Sequence, residues 1–387
     1  MRKSQKLLIC IVITLIMFPA NNLLGQNSYK LRDNETIGPE KGSLIITGDG
    51  IYGIFKDKFM ELIGGADAPV IVIPTAGSSD VLSDEFLENY KQRFIKSGLT
   101  NVTVLHTRDP EEANTDEFIE PIKNAVGVIF SGGRQWRHAD SYLNTKTHDE
   151  LIKLLSRGGV IAGGSAGATI QGSYLARGDS KGNTKMMGDH EVGLSFIKNV
   201  AIDQHLLKRN RQFDMFEILD NRPELLGIGI DEGTGIIVQG DTFKVIGKSY
   251  VVMYDGTRWS EERDTIYKLP KGSREFYTLK SGDEYNLKTR SVITYRNREY
   301  VNLTEKDLKI YCGVYKLIGT DVKSELFVND DTLFSKANGQ TFPLLPESET
   351  RFYISQTDVY LDFIFDSNDK VLKVKVPIQN QTWEKLN

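Results

Sequence analysis

The stretch GGVIAGGSAGA, residues 158–168, leaves its backbone few options. Val160 to Ala162 is a short apolar run that feeds straight into Gly163-Gly164-Ser165-Ala166-Gly167, a G-x-S-x-G pattern with a small residue at every position. A strand ending in a sharp turn satisfies it: the central serine takes a strained backbone, and the glycines let neighbouring elements come close. The Ser165 hydroxyl then stands exposed above a sheet. Ala168 to Tyr174 is expected to open a helix behind it, whose amides and positive dipole end favour negative charge at the turn. A tightly packed Gly/Ala loop without chemistry fits the same residues, so the rest of the chain has to decide.

From Gly42 onward, apolar runs alternate with helical patterns. Leu44–Thr47, Val70–Ile73, Val102–Leu105, Gly127–Phe130 and Val160–Ala162 read as strands. Helical stretches lie between them: one with Phe55, Phe59, Leu62 and Ile63 on one side, then Ser83–Lys96, Thr115–Asn124 and Gln135–Ser156. Continuous rather than alternating apolar runs suit strands buried on both faces. The order predicts an α/β fold with a mostly parallel sheet and helices on both faces. In such sheets, sites collect at the carboxyl ends of strands. Four ends are informative: Ser131-Gly132-Gly133-Arg134-Gln135, the Ser165 turn, Asp203-Gln204-His205 and Asp231-Glu232.

A nucleophilic serine needs a base within hydrogen-bond reach and a third group to orient that base. The chain has five histidines. His106, His138 and His148 precede the serine and His190 lies in a polar Gly/Asp/Asn-rich loop, which leaves His205 at a strand end beyond Ser165. A half-buried structural histidine is the alternative. For the orienting acid, Glu232 ends a very apolar strand, where an unpaired carboxylate is costly; Asp231 and Asp179 compete for the role. Nothing after His205 can supply a base, which excludes the α/β-hydrolase order of serine, acid, histidine.

Composition narrows the partners. A formal net charge of -4 argues against nucleic acid or an anionic membrane, so a small molecule or peptide is expected. Residues 1–26 have the layout of a secretory signal: Arg2, Lys3 and Lys6, the apolar run Leu7–Phe18, and a polar exit with Gly25. That run is too short for a comfortable membrane span. Export is therefore expected, with Cys312 the one cysteine left after signal removal and no intrachain disulfide. No metal cluster, phosphate loop or dinucleotide fingerprint appears, Gly48-Asp49-Gly50 lacking the rest of one, so neither metal nor cofactor is expected. The partner states left open include a homodimer.

Past about Asn297 the pattern changes to short strands separated by polar turns. Gly313–Ile318, Glu325–Val328, Thr332–Ser335, Arg351–Ser355, Val359–Phe365 and Val371–Val376 read as an antiparallel unit, with Tyr353, Tyr360 and Phe363 in its core. The expected division is signal 1–26, hydrolase domain 40–297 and a small β domain 301–387.

In SGGRQ, GGSAGA, DQHLLKRNR and GIGIDEGTGIIV, in that order, the chain resembles the cyanophycinase-like serine peptidases, a group that also includes aspartyl dipeptidases. The likeness runs from Gly42 to Thr294 and takes in FYTLKSGDEYNL. It implies a serine hydrolase on a fold like that of class I glutamine amidotransferases, with Ser165 the nucleophile, His205 the base and Glu232 its carboxylate partner. It further implies that Gln135, Asp203, Gln204, Arg209 and Arg211 line the substrate pocket and that Gly133 and Ala166 offer amides to an oxyanion. Two positions depart from the pattern: Asp214 stands where cyanophycinases usually carry a third arginine, and Arg134 precedes Gln135 in place of aspartate or asparagine. Reversed charge at 214 either weakens an anionic contact or creates a site for a cation. Arg209 and Arg211 suit carboxylate recognition, on a helix expected to open at His205 with Leu206, Phe213, Phe216 and Leu219 against the sheet. The β domain resembles, through GVYKL and FPLLPESETRFY, those behind secreted β-lactamase-like hydrolases. The expected function is exported hydrolysis of acidic or β-aspartyl peptides. The alternatives are a catalytically silent peptide-binding protein that keeps the pocket, and a scaffold acting through its β domain.

Overall fold

The architecture follows the alternation of buried runs and amphipathic segments. A computed structural model describes residues 35–77, 82–261, 264–294, 298, 300–337, 339–354 and 359–386. The expected signal, residues 1–26, lies outside the described residues. In chain order, β1 (Ser43–Thr47), α1 (Ile54–Leu62), β2 (Val70–Ile73), α2 (Asp84–Lys96) and β3 (Val102–Val104) lead through the short α3 (Pro110–Ala113) to α4 (Asp116–Asn124) and β4 (Gly127–Phe130). Then come α5 (Gln135–Tyr142), α6 (Lys146–Ser156), β5 (Val160–Gly164), α7 (Ala166–Thr169), β6 (Gly172–Tyr174) and β7 (Ile197–Gln204). The α/β part continues with α8 (Met215–Asn221), β8 (Leu226–Ile230), β9 (Thr234–Gln239), β10 (Thr242–Gly247) and β11 (Val251–Tyr254).

Local chemistry sets the helix starts. Ser83, Thr115 and Thr145 each accept a backbone N–H at the head of α2, α4 and α6, satisfying donors that the helix itself cannot. The single helical stretch expected over 135–156 is broken at Leu143–Thr145, where Asn144 has a positive φ and Thr145 starts a new helix. β1, β2, β4 and β5 are buried along their whole length, as continuous apolar runs require. Burying each of Leu44, Ile45 and Ile46 contributes about 1.5–3 kcal/mol.

The strands form two sheets where the sequence suggested one. In the nine-stranded sheet, β3, β2, β4, β5 and β1 run parallel; β9 and β10 continue it antiparallel, followed by Glu284–Asn286 and Ser291–Ile293. The five-stranded sheet has parallel β6, β7 and β8, then antiparallel β11 and Tyr277–Leu279. The chain passes between the sheets at Asp231–Gly233, where β8 hands over to β9, and β9 pairs with β1 through Gly235 and Thr47. The crossing therefore lands beside the carboxyl ends of β1 and β5.

Residues 313–386 close into an eight-stranded antiparallel barrel. The expected strands are all present; Gln340–Pro346 and Gln381–Leu386 complete the ring. Its core is aromatic, with the Tyr311 ring 4.8 Å from both Phe352 and Phe363. Tyr353 and Phe363 are buried as expected, whereas Tyr360 faces the α/β part, where Lys244 Nζ lies 4.3 Å above its ring.

Candidate active site

Ser165 terminates β5 with φ +56° and ψ −120°, a conformation non-glycine residues rarely adopt. Its amide donates to Thr47 O of the neighbouring β1 at 3.3 Å. The helix behind it is shorter than expected. α7 is one turn, after which Gly172–Tyr174 joins β7 as a strand and Ser173 Oγ bonds Val200 O. Dipole support for the turn is correspondingly confined to the first amides of α7.

His205 ends β7, also at positive φ (52°), and its amide donates to Gly48 O at 3.2 Å. Its Nε2 stands 2.9 Å from Ser165 Oγ, and its Nδ1 2.7 Å from Glu232 Oε1. With the proton on Nδ1, both contacts are satisfied: the hydroxyl donates to Nε2 and Nδ1–H donates to the carboxylate. Asp231, the competing acid, is fully engaged elsewhere, one oxygen accepting the Lys208 amide and the other the Ser249 hydroxyl. Asp179 accepts from the Lys181 amide. Burial pushes the His205 imidazole below its ordinary value; the hydrogen bond to Glu232 works upward, and Arg209 and Arg211 press it down again. The base is thus held neutral at neutral pH.

The Gly132-Gly133 turn after β4 packs on the serine, so close that a Cβ added at Gly132 would lie 3.2 Å from Ser165 Cβ. Gly133 has φ +140°, and a Cβ there would sit 1.9 Å from Ala76 O, so the position requires glycine. Among the described residues, neither the Gly133 nor the Ala166 amide donates to a protein acceptor. Both are available beside the hydroxyl.

The expected pocket residues divide into supports and surfaces. Gln135 is buried and donates to Ala176 O and Arg177 O at 2.8 and 2.9 Å, pinning the loop after β6. Asp203, fully buried, takes Arg177 in a two-pronged pair with both bonds at 2.9 Å. Gln204 is buried, and its Oε1 has no partner among the described residues. Arg209 is exposed; Arg211 is half-buried with one bond, to Gln204 O. Neither arginine has an ion-pair partner among the described residues. They do not ride on a helix opened by His205. Residues 205–214 form turns, Asn210 again at positive φ, and α8 begins only at Met215. Leu206 and Phe216 are buried as expected, but Phe213 is 60% exposed and packs edge-on against Phe276.

Arg177 carries the site's largest surprise. It lies 2% exposed at φ +57°, and besides Asp203 it donates to Asp214 Oδ2 at 2.6 Å and to the carbonyls of Asn183 and Thr184. Burial opposes its charge, yet Asp203 and then Asp214 outweigh this and hold the guanidinium charged. Asp214 is therefore committed to an internal cation, and the positive charge of Arg209 and Arg211 is left facing the site. In the sequence Arg177 was one arginine in a polar loop, with no local pattern to mark it. Half-buried Arg134 opens α5 and donates its amide to Ala76 O.

Among the described residues no group of three or more His, Cys, Asp or Glu is placed to hold a metal, and no helix is long and apolar enough to cross a membrane.

The family profile described as Peptidase family S51 matches residues 44–246, a span that contains every residue of this site. The chain belongs to peptidase family S51. A cyanophycinase of Geminocystis herdmanii is 30% identical over 266 residues, 64% of this chain and 95% of that protein. A cyanophycinase of Trichormus variabilis is 28% identical over 291 residues, 70% of this chain and 94% of the relative. A solved peptidase from an acI-B1 Actinobacterium is 25% identical, covers 64% of this chain and 98% of its own, and superposes with a TM-score of 0.49. Residues 297–385 match a domain of unknown function, DUF3471. As a member of the S51 family, the protein is a cyanophycinase-like, serine-type peptidase.

Proposed function

We propose that this protein is an exported serine peptidase that cleaves acidic or β-aspartyl peptide bonds through an acyl-enzyme on Ser165. The observation carrying this reading is the relay of Glu232, His205 and Ser165, with contacts of 2.7 and 2.9 Å. Ser165 Oγ attacks the peptide carbonyl carbon as His205 Nε2 takes its proton, and Glu232 stabilises the imidazolium through Nδ1. The Gly133 and Ala166 amides receive the oxyanion, each such donor contributing about 3 kcal/mol. Collapse of the tetrahedral adduct breaks the C–N bond, and His205 passes its proton to the departing amine. A water then attacks the ester, giving a proton to His205, and Ser165 recovers it as the acid leaves.

Substrate charge follows from the cations left over. Arg177 is neutralised by Asp203 and Asp214, so Arg209 and Arg211 remain to draw a carboxylate of the peptide. Residues 40–297 form the hydrolase domain in this reading, residues 301–387 a separate β domain, and residues 1–26 the export signal. The test is a screen of α- and β-linked Asp dipeptides and of cyanophycin against wild type and Ser165→Ala. Ser165→Ala is expected to lose about 10⁴-fold or more in kcat while folding normally. Full hydrolysis by that variant would end the assignment. No labelling of Ser165 by a fluorophosphonate, together with tight binding of an acidic peptide, would favour the silent binding protein.

A further inference from the structure

The three side chains of the relay come from different strand ends in two sheets, and something has to hold those ends in register. One short segment touches all three. At the carboxyl end of β1, Thr47 O accepts the Ser165 amide at 3.3 Å and Gly48 O accepts the His205 amide at 3.2 Å. Asp49 Oδ2 accepts the amide of Gly233, the residue after Glu232, at 3.2 Å. Gly48 N also donates to Thr234 O at 3.0 Å, so the crossing that carries Glu232 is tied on both sides.

The segment is built for this contact. A Cβ at Gly48 would fall 2.1 Å from Asp231 O, so only glycine lets the β8–β9 crossing approach so closely. Asp49 is half-buried and spends its carboxylate on backbone: Oδ1 accepts the Gly50 amide at 3.0 Å, and Oδ2 takes Gly233 N–H and also the hydroxyl of Tyr52. A Gly-Asp-Gly turn without the rest of a nucleotide fingerprint thus has a structural use. Resting on the relay proposed above, we infer that Asp49 is a positioning residue, which fixes the Glu232 carboxylate against His205 by clamping the Gly233 amide. It touches neither substrate nor the reacting atoms. Without the clamp, the Glu232 crossing keeps its tie to Gly48 but loses the one beside the carboxylate, and the Nδ1 contact loosens.

The test compares Asp49→Ala and Asp49→Asn with wild type, each normalised to folded protein by circular dichroism. Asp49→Ala is expected to lower kcat about 10–100-fold, the scale of a small misplacement of a catalytic group, with KM within about threefold. The charged groups bearing on the imidazole are Glu232, Arg209 and Arg211, and of these Glu232 alone raises its pKa. The acid limb of kcat/KM should therefore move to lower pH in Asp49→Ala, a shift that mere loss of folded enzyme would not give. Asp49→Asn, whose amide oxygen can still accept from Gly233, should recover most of the rate; it also serves if the alanine variant fails to fold. The downfield Nδ1–H proton resonance of His205, recorded in the Ser165→Ala background, should broaden or vanish in Asp49→Ala and persist in Asp49→Asn. A wild-type kcat, acid limb and Nδ1–H resonance in either folded variant that removes the Gly233 acceptor would overturn the inference. An active Ser165→Ala control would instead sink the relay itself, so the two failures are told apart.

Discussion

Set the barrel beside the strand ends of the α/β part, and the two differ most in where their backbones are strained. Among the described residues of the barrel, the non-glycine positions at positive φ are Asp330, Asp331, Asp369 and Asn380, all in tight turns beside strands. Aspartate and asparagine tolerate that region because their short side chains can bond locally. In the α/β part the same region holds Ser165, Arg177 and His205, with no such excuse. Each costs about 1–3 kcal/mol and persists only because its surroundings over-determine it. The barrel sequence agrees with itself at every level; the site's does not, and its disagreements fall on the residues that meet one another around Ser165.

The comparison implies that changes at the site should alter rate with little change in stability, and changes in the barrel the reverse. Glu232→Gln gives the largest expected effect. An amide at 232 can no longer stabilise the imidazolium and allows the wrong tautomer, so kcat should fall about 10³–10⁴-fold with an unfolding midpoint near wild type. The pH profile adds a sign. Neutral His205 is the working form, and its pKa lies below the ordinary 6.5 because burial outweighs the bond to Glu232. The wild-type acid limb of kcat/KM should accordingly have its midpoint below 6.5, activity being lost only as pH falls through the folded value. Removing the Glu232 charge takes away an upward influence, so the residual activity of Glu232→Gln should persist to still lower pH. An unchanged kcat in this variant would leave the strained strand ends without a chemical purpose.

Phe352→Ala probes the other side. The ring is fully buried and packs edge-on against Tyr311 and Phe363. Its loss should destabilise the barrel by about 3–5 kcal/mol, seen in thermal unfolding, while hydrolysis per folded molecule stays at the wild-type rate. A parallel fall in rate would mean that the barrel supports the site through the Lys244–Tyr360 contact, and the comparison would need redrawing.

Much of this was legible in the chain because it depends on local rules. Continuous apolar runs marked the buried strands, Ser83, Thr115 and Thr145 marked helix starts, and five histidines left few ways to pair one with Ser165. What stayed hidden depends on tertiary contact. Nothing local divides β1–β5 from β6–β8, since parallel buried strands look alike in either sheet. Residues 206–219 have helical spacing, yet positive φ at His205 and Asn210 and the bonds of Asp214 to Arg177 hold the first part as turns. Arg177 itself is defined by partners at 183, 184, 203 and 214, remote enough to leave no pattern. The barrel strand Gln340–Pro346 was obscured by Pro343 and Pro346, residues that read as breaks.

The finest test of the comparison asks whether the strain at Ser165 is real. Glycine adopts φ +56°, ψ −120° freely, whereas alanine keeps the Cβ that makes this conformation unfavourable. Both substitutions remove the hydroxyl and its 2.9 Å contact with His205, so the difference between them isolates the backbone. Ser165→Gly should be more stable than Ser165→Ala by about 1–2 kcal/mol, less than the full relief because glycine also gains freedom in the unfolded chain. The same replacement at Asp331 in the barrel should yield a smaller gain, since aspartate is already at ease in a turn. Matched unfolding curves for the three variants measure this directly. If Ser165→Gly proved no more stable than Ser165→Ala, the turn would carry no strain, and the contrast between the site and the barrel would reduce to one of side chains alone.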